Sequence, residues 1–338
     1  MRSRAYAFAV IALTAGPFLA VAAANLILDP EAVFGTGVFD TARNPNTRYQ
    51  QLVTYRADPA RYDGILFGSS RAYAVPREEL SRHLQGVTFG SFAVDAGTLA
   101  DHLPALQYVV RDKAARHEPL RAVFLLLDLD SLGFRPKANK FIQTLLPPQL
   151  TGERASAFWW RNLTAIQPKT WRSSVRAALN PSETGVTADL LADAGIGAGS
   201  PGDRRSGGPP LALPRINITD NMYFEVHVRL LQQFVDLCRE QHLALTVAIS
   251  PMNPRQLVFF DQKSIEAAVD RLTQIVPLWD FSGPNPALEN PQRWRDSGHF
   301  SAEVAHVMIE RIFGEATPAE WSRFGQLRDR TGAVVSSR

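Results

Sequence analysis

The sequence predicts an α/β domain built on a mainly parallel sheet and preceded by one apolar N-terminal helix. Short apolar strings bounded by Gly, Asp or Arg alternate with longer amphipathic stretches, as in Asp63-Gly64-Ile65-Leu66-Phe67-Gly68 before Pro76–Leu84. Arg121–Leu127 is almost continuously apolar, the pattern of a parallel strand covered by helices on both faces. Ala5–Leu28 carries no charged residue over 24 positions.

That first run, behind Arg2 and Arg4, is long enough to cross a hydrocarbon core of about 30 Å. Arginines before it and Asp29-Pro30-Glu31 after it orient the chain with its N-terminus inside and the remainder exported. A cleaved signal peptide is the alternative, since Ala20-Val21-Ala22 and Ala22-Ala23-Ala24 offer small-residue cleavage sites. The expected division is an anchor over 1–28, a tether over 29–61 with a short helix in Asn44–Arg56, an α/β domain over 62–316, and a peripheral polar tail over 317–338.

Within the domain, the strand ending at Gly68 opens into Ser69-Ser70-Arg71 and a helix. The tip of a parallel strand is where open α/β sheets hold their chemistry, because free N–H groups there face developing negative charge. A second strand, Val87–Phe92, is followed by Asp95-Ala96-Gly97-Thr98 and a helix over Leu99–Arg116; the third ends in Asp128-Leu129-Asp130. The α/β rhythm then breaks over 131–220, an insertion with Pro147-Pro148, Phe158-Trp159-Trp160 and a Gly/Pro/Arg-rich loop over Gly197–Pro214. Trp159, Trp160 and Trp171 either stack on sugar rings or pack the insertion.

The rhythm resumes with a helix over Tyr223–His242 and a strand over Leu243–Ser250, which leads into Pro251-Met252-Asn253-Pro254. Asn253 either meets substrate or stabilises its turn. A helix over Ser264–Val276 and a strand over Pro277–Phe281 precede Trp294–Ser301, the loop that enters a last helix, Ala302–Phe313.

A serine needs a base within hydrogen-bond reach, itself oriented by a third group. Asp296 three residues before His299 can accept from one ring nitrogen and leave the other free for a serine proton. The remaining histidines, His83, His102, His117, His227, His242 and His306, are read as surface residues of helices.

Gly68-Ser69-Ser70 and Asp296-Ser297-Gly298-His299 resemble the first and last blocks of the SGNH (GDSL-like) hydrolase superfamily. Gly-Ser-Ser-Arg with Asp-Ser-Gly-His-Phe is similar to its membrane-anchored bacterial branch, which includes DltD-like and alginate-acetylation-type proteins. The resemblance implies a three-layer flavodoxin-like fold, with Ser70 as nucleophile, His299 as base, Asp296 as its orienter, and Ser69 where the superfamily has Asp. It also implies an oxyanion N–H from Gly97, or from Ala96 one residue earlier. Asp128 stands where an oxyanion Asn is usual; an ionised carboxylate there works only if protonated or turned away. Arg71 either binds an anionic group on the substrate or braces the turn.

By the same resemblance, the activity is ester hydrolysis or O-acyl transfer on envelope or exported polysaccharide, alongside a multi-pass membrane O-acyltransferase. The expected location is the cytoplasmic membrane, with the domain on its outer side. The alternative is an SGNH scaffold without turnover, acting as an accessory or binding protein.

Composition is ordinary for a folded protein, with 45% hydrophobic and 20% charged residues over 338 positions. A net charge of +3 with interspersed signs gives no reason to expect nucleic-acid binding. The single cysteine, Cys238, excludes an internal disulfide and reads as a packing residue. No phosphate-binding or dinucleotide motif and no metal-ligand spacing occurs, so neither cofactor nor metal is expected.

Overall fold

The computed structural model describes residues 2–36, 45–133, 146–179 and 215–331, arranged as two compact units. The Gly/Pro/Arg-rich stretch 197–214 lies outside the described residues.

The larger unit comprises 54–140 and 194–338. It holds a six-stranded sheet in the order β2-β1-β3-β4-β5-β6. The strands are β1 (Gly64–Gly68), β2 (Phe89–Ala93), β3 (Ala122–Leu127), β4 (Ala244–Ile249), β5 (Leu278–Asp280) and β6 (Gln326–Arg328). The first five run parallel, with Gly68 beside Ala93 and Leu127 beside Ile249. Their C-terminal ends therefore share one edge, and β1 is the strand where the chain order reverses, with β2 on one side and β3 on the other. A crevice opens at such a switch point, because successive connections leave in opposite directions.

Every residue of β1 and β3 is buried, as two-faced helical cover requires. On one face Leu66, Phe124 and Leu126 pack with Leu80 of α3 (Arg77–His83) and with Val304 and Met308 of α9 (Ala302–Ile312), the helix that follows α8 (Gln262–Thr273) in the chain. On the other, Phe67 meets Phe234 edge-on at 5.4 Å; Phe234 belongs to α7 (Phe224–Glu240), which packs beside α4 (Leu99–Arg116). The fold class expected from the sequence, a mainly parallel α/β sheet, is the one observed.

Three features differ from the sequence reading. The stretch 317–331 is not peripheral, since β6 pairs antiparallel with β5 while Trp321 and Phe324 are buried in the core. Gly325, at φ 78°, makes this possible: a Cβ there would lie 2.1 Å from the Phe281 ring. Two apolar side chains three residues apart in a polar stretch are too few to declare a period. Second, His102 and His227 are buried, not superficial; His102 lies under the β1 and β2 tips with its ring centre 5.9 Å from that of Phe67. Third, most of the tether and the central part of the insertion fall in one unit with α1.

That smaller unit comprises 1–53 and 141–193. Its elements are α1 (Arg2–Leu28), most of α2 (Thr47–Ala57), α5 (Ala155–Thr164) and α6 (Pro168–Leu179). Asn25 is buried and ties the helices together: its amide donates to the Leu163 and Ala165 carbonyls, both at 2.9 Å, and accepts from Trp171 Nε1 at 2.7 Å. The Asp29 carboxylate accepts from the amides of Val33 at 2.8 Å and Gly35 at 2.7 Å, fixing the turn after α1. Tyr49, Phe158 and Trp159 form an aromatic cluster, so Trp159 and Trp171 pack the insertion, while Trp160 stays exposed. Most side chains in the first twelve residues of α1 lie outside the described set; among the described residues no helix is long and apolar enough to cross a membrane.

One surface contact in the larger unit carries a pH signature. His306 on α9 bonds Glu79 of α3 at 2.8 Å and lies 3.1 Å from Glu310. The bond to Glu79 outweighs partial burial and holds the imidazolium above its ordinary 6.5. A raised value in the folded state means that the contribution is complete below 6.5 and lost as pH rises through the folded value. His306 is half exposed, so solvent screening limits the contribution to roughly 0.2–1 kcal/mol. Thermal melts of the chain and of His306→Gln should differ below that pH and converge above it.

Candidate active site

The residues at the shared strand edge are placed by their own turns. At the end of β1, Gly68 allows close approach: a Cβ there would stand 2.6 Å from that of Ala72 and 3.1 Å from the Leu126 carbonyl. Ser69 Oγ accepts the Arg71 amide at 3.1 Å and caps the short helical turn Ser70–Ala74. Ser69 is therefore a turn-forming residue. Ser70 opens the turn, and the first amide of such a turn has no acceptor inside it.

The other half arrives on the loop between β5 and α9. Trp294 and Phe300 bridge antiparallel, the Arg295 amide donates to the His299 carbonyl at 2.8 Å, and Phe300 is buried. Asp296 accepts from the amides of Gly298 at 2.7 Å and His299 at 2.9 Å, and its carboxylate lies 2.8 Å from His299 Nδ1. Burial alone would raise the Asp296 carboxyl, but these amide bonds and His299 outweigh it and hold it below the ordinary 3.8. An ionised Asp296 only accepts, so Nδ1 carries the proton and Nε2 presents a lone pair. His299 Nε2 is 2.7 Å from Ser70 Oγ. Three residues named from motifs 229 positions apart thus form one hydrogen-bonded chain from carboxylate to imidazole to hydroxyl.

No family model matches the chain, and no curated protein does.

Arg71 is the hub of the site's geometry. It is only 7% exposed. Its Nη1 and Nη2 grip Asp130 in a fork at 2.8 and 2.9 Å, Nη1 lies 3.3 Å from Asp128, and Nε donates to the Gly298 carbonyl at 2.8 Å. Burial opposes its charge, but Asp128 and Asp130 together outweigh that and raise the guanidinium above its ordinary value. Of the two roles open in the sequence, the structure supports the brace: Arg71 joins the β1 tip to the β3 tip and to the loop carrying His299.

Asp128 is turned away from an oxyanion-donor role. Its Oδ1 accepts from Ser250 Oγ at 2.6 Å and pairs with Arg71. Gly97 also differs from expectation: its one N–H donates to the Val94 carbonyl at 2.9 Å, closing the turn after β2, so it is not available to an oxyanion. A side chain at 97 would collide with the Gly68 carbonyl at 2.9 Å, so the glycine serves close packing of the β1 and β2 tips. Ala96, at φ 48° in the same turn, has no backbone acceptor for its N–H among the described residues. Asn253 accepts the Arg255 amide at 2.9 Å and caps the turn Pro254–Leu257, which supports its turn-forming alternative.

Sequence reasoning missed Asp130, Ser250 and the Gly298 carbonyl as parts of this edge. A signal was present: a buried arginine beside a nucleophile requires acidic partners, and the next strand tip in the sheet carries Asp128 and Asp130.

Asp296→Asn keeps the shape but removes the charge and lets an amide N–H face Nδ1, favouring the wrong tautomer. Turnover by the Ser70 site should fall on the order of 10²-fold or more, with the melting temperature nearly unchanged. Unaltered turnover in Asp296→Asn contradicts the orienting role.

Proposed function

We propose that the protein is a membrane-anchored, extracytoplasmic serine esterase or O-acyltransferase of the SGNH type, acting on acylated cell-envelope or exported polysaccharide. The observation that carries this reading is the 2.7 Å contact of Ser70 Oγ with His299 Nε2, backed by Asp296 at 2.8 Å. The sheet order, with β1 at the switch point and the serine at its tip, agrees with a flavodoxin-like SGNH fold.

In this reading His299 takes the Ser70 proton as Oγ bonds to the ester carbonyl carbon. The tetrahedral oxyanion is held by the Ser70 amide and an amide of the 94–97 turn, Ala96 being the candidate. The C–O bond of the leaving alcohol breaks, and that oxygen takes the proton from His299. Water or a sugar hydroxyl then gives its proton to His299 as its oxygen attacks the acyl carbon; the acyl C–Oγ bond breaks, and Ser70 Oγ takes that proton back from His299. Hydrolysis and transfer differ only in this acceptor.

The uncharged run of α1 and the exposed apolar side chains along it, among them Leu13, Phe18 and Leu19, support anchoring in a membrane. A multi-pass O-acyltransferase is a fitting partner, because it would supply the acyl group on the outer side. The test is acetate release from O-acetylated polysaccharide by the full chain, with Ser70→Ala as control and with a carbohydrate acceptor added to divert acyl groups from water.

One observation favours the second reading, an accessory protein that binds polysaccharide without turnover. The Gly97 amide and the Asp128 position, two of the superfamily's oxyanion donors, are both committed elsewhere. Polysaccharide binding unaffected by Ser70→Ala, with no acetate released by either form, is the outcome that selects it.

A further inference from the structure

The smaller unit carries a second surface that the serine chemistry does not use. Through 154–179 the chain has five basic residues and no acidic one. Arg161 is neutralised by Glu153 at 2.6 Å, but Lys169, Arg172 and Arg176 are exposed and have no acidic partner among the described residues. The same stretch of chain carries exposed apolar side chains: Trp160 at 64% on α5, Ile166 at 71% in the connection, and Leu179 at 75% on α6, with Val175 also exposed. On α6 the exposed positions 169, 172, 175, 176 and 179 recur at helical spacing, so cations and apolar groups share one face. Lys/Arg and aliphatic side chains together on one side of a short helix are the composition of an interfacial helix, where apolar groups enter the acyl boundary and cations meet anionic headgroups.

The position of this face is fixed by Asn25. That residue lies three positions before the end of α1 and binds the end of α5 through the Leu163 and Ala165 carbonyls and the first turn of α6 through Trp171. At 1.5 Å per residue the connection sits within about 5 Å, along the axis, of the end of α1. This is the height at which a spanning helix leaves the hydrocarbon. Asn25 is buried among these partners, so its amide is not offered to lipid.

We infer that α5 and α6 form a second membrane contact, laying the cationic and apolar face of 160–179 on an anionic bilayer surface beside the exit of α1. The inference rests on the reading of α1 as an anchor, and the two are separable by probe position. Burial pushes the thiol of Cys238, the only native cysteine, up to about 12, so it does not compete for labelling at neutral pH. The full chain, carrying an environment-sensitive fluorophore on Leu13→Cys, Ile166→Cys or Leu179→Cys, is reconstituted into phosphatidylcholine vesicles with and without phosphatidylglycerol.

The expected result is a blue-shifted emission at 166 and 179, quenched by lipids spin-labelled near the headgroup, stronger with phosphatidylglycerol, and losing that dependence in Lys169→Gln/Arg172→Gln/Arg176→Gln. A probe at 13 quenched by lipids spin-labelled deep in the acyl chains, with water-like emission at 166 and 179, leaves the anchor standing and overturns the second contact, leaving a protein partner as the cover for that face. Quenching at 166 and 179 without quenching at 13 supports the surface contact and removes the anchor. Water-like emission at all three positions overturns both.

Discussion

Ser70→Ala is expected to abolish acetate release from acylated polysaccharide, lowering turnover at least about 10³-fold while the fold is unchanged. The expectation follows from how little else Ser70 does. Its hydroxyl bonds His299 Nε2, and the turn around it is held by Ser69 and Arg71 instead. Removing the hydroxyl of a partly exposed serine leaves no buried group unsatisfied, so stability should move by less than about 0.5 kcal/mol. Loss of turnover with an unshifted melt separates a missing nucleophile from a damaged fold. A variant that keeps its activity rules Ser70 out.

The second large effect is on stability. Arg71→Met removes a buried cation and leaves Asp128, itself 7% exposed, and Asp130 facing each other without compensation. Breaking a buried pair from one side costs about 3–5 kcal/mol, or roughly 6–20 °C of melting temperature for a unit of this size. The Gly298 carbonyl loses its donor in the same step, so the loop holding His299 loosens and turnover falls with stability. Arg71→Lys should recover only part of either, since an ammonium cannot fork onto Asp130 while also reaching Gly298. Adding Asp128→Asn and Asp130→Asn to Arg71→Met should return part of the lost stability by removing the uncompensated charge. A native melting temperature in Arg71→Met contradicts the bracing role.

Much of this edge could be read from the sequence. β1 and β3 were legible because full burial on both faces writes itself as an unbroken apolar string. The Asp296–His299 pairing was legible because three residues of spacing let the carboxylate reach its own loop's amides and the imidazole together. The serine turn is legible from its place after the first strand, while the choice of Ser70 over Ser69 comes from the SGNH resemblance. What remained hidden was direction and long-range choice. Whether Arg71 looks out to a substrate or inward to Asp130 depends on which strand lies beside β1, and that is fixed by the sheet order. The Gly97 amide turns to Val94 through the geometry of a single turn, which a motif alignment does not specify. Asn25 and Trp171 bond each other across 146 positions, so neither the short amphipathic helices nor the apolar run before them announced a shared unit.

The most direct test of the Ser70–His299–Asp296 assembly is covalent labelling of the full chain with a fluorophosphonate, followed by mapping of the modified peptide. A hydroxyl activated by an imidazole at 2.7 Å attacks phosphorus and keeps the adduct, without any need to know the natural acyl group. One adduct is expected, on Ser70, absent in Ser70→Ala and formed on the order of 10²-fold or more slowly in His299→Ala. Folded protein that forms no adduct, or that carries it on another residue, contradicts an assembled nucleophile at the tip of β1.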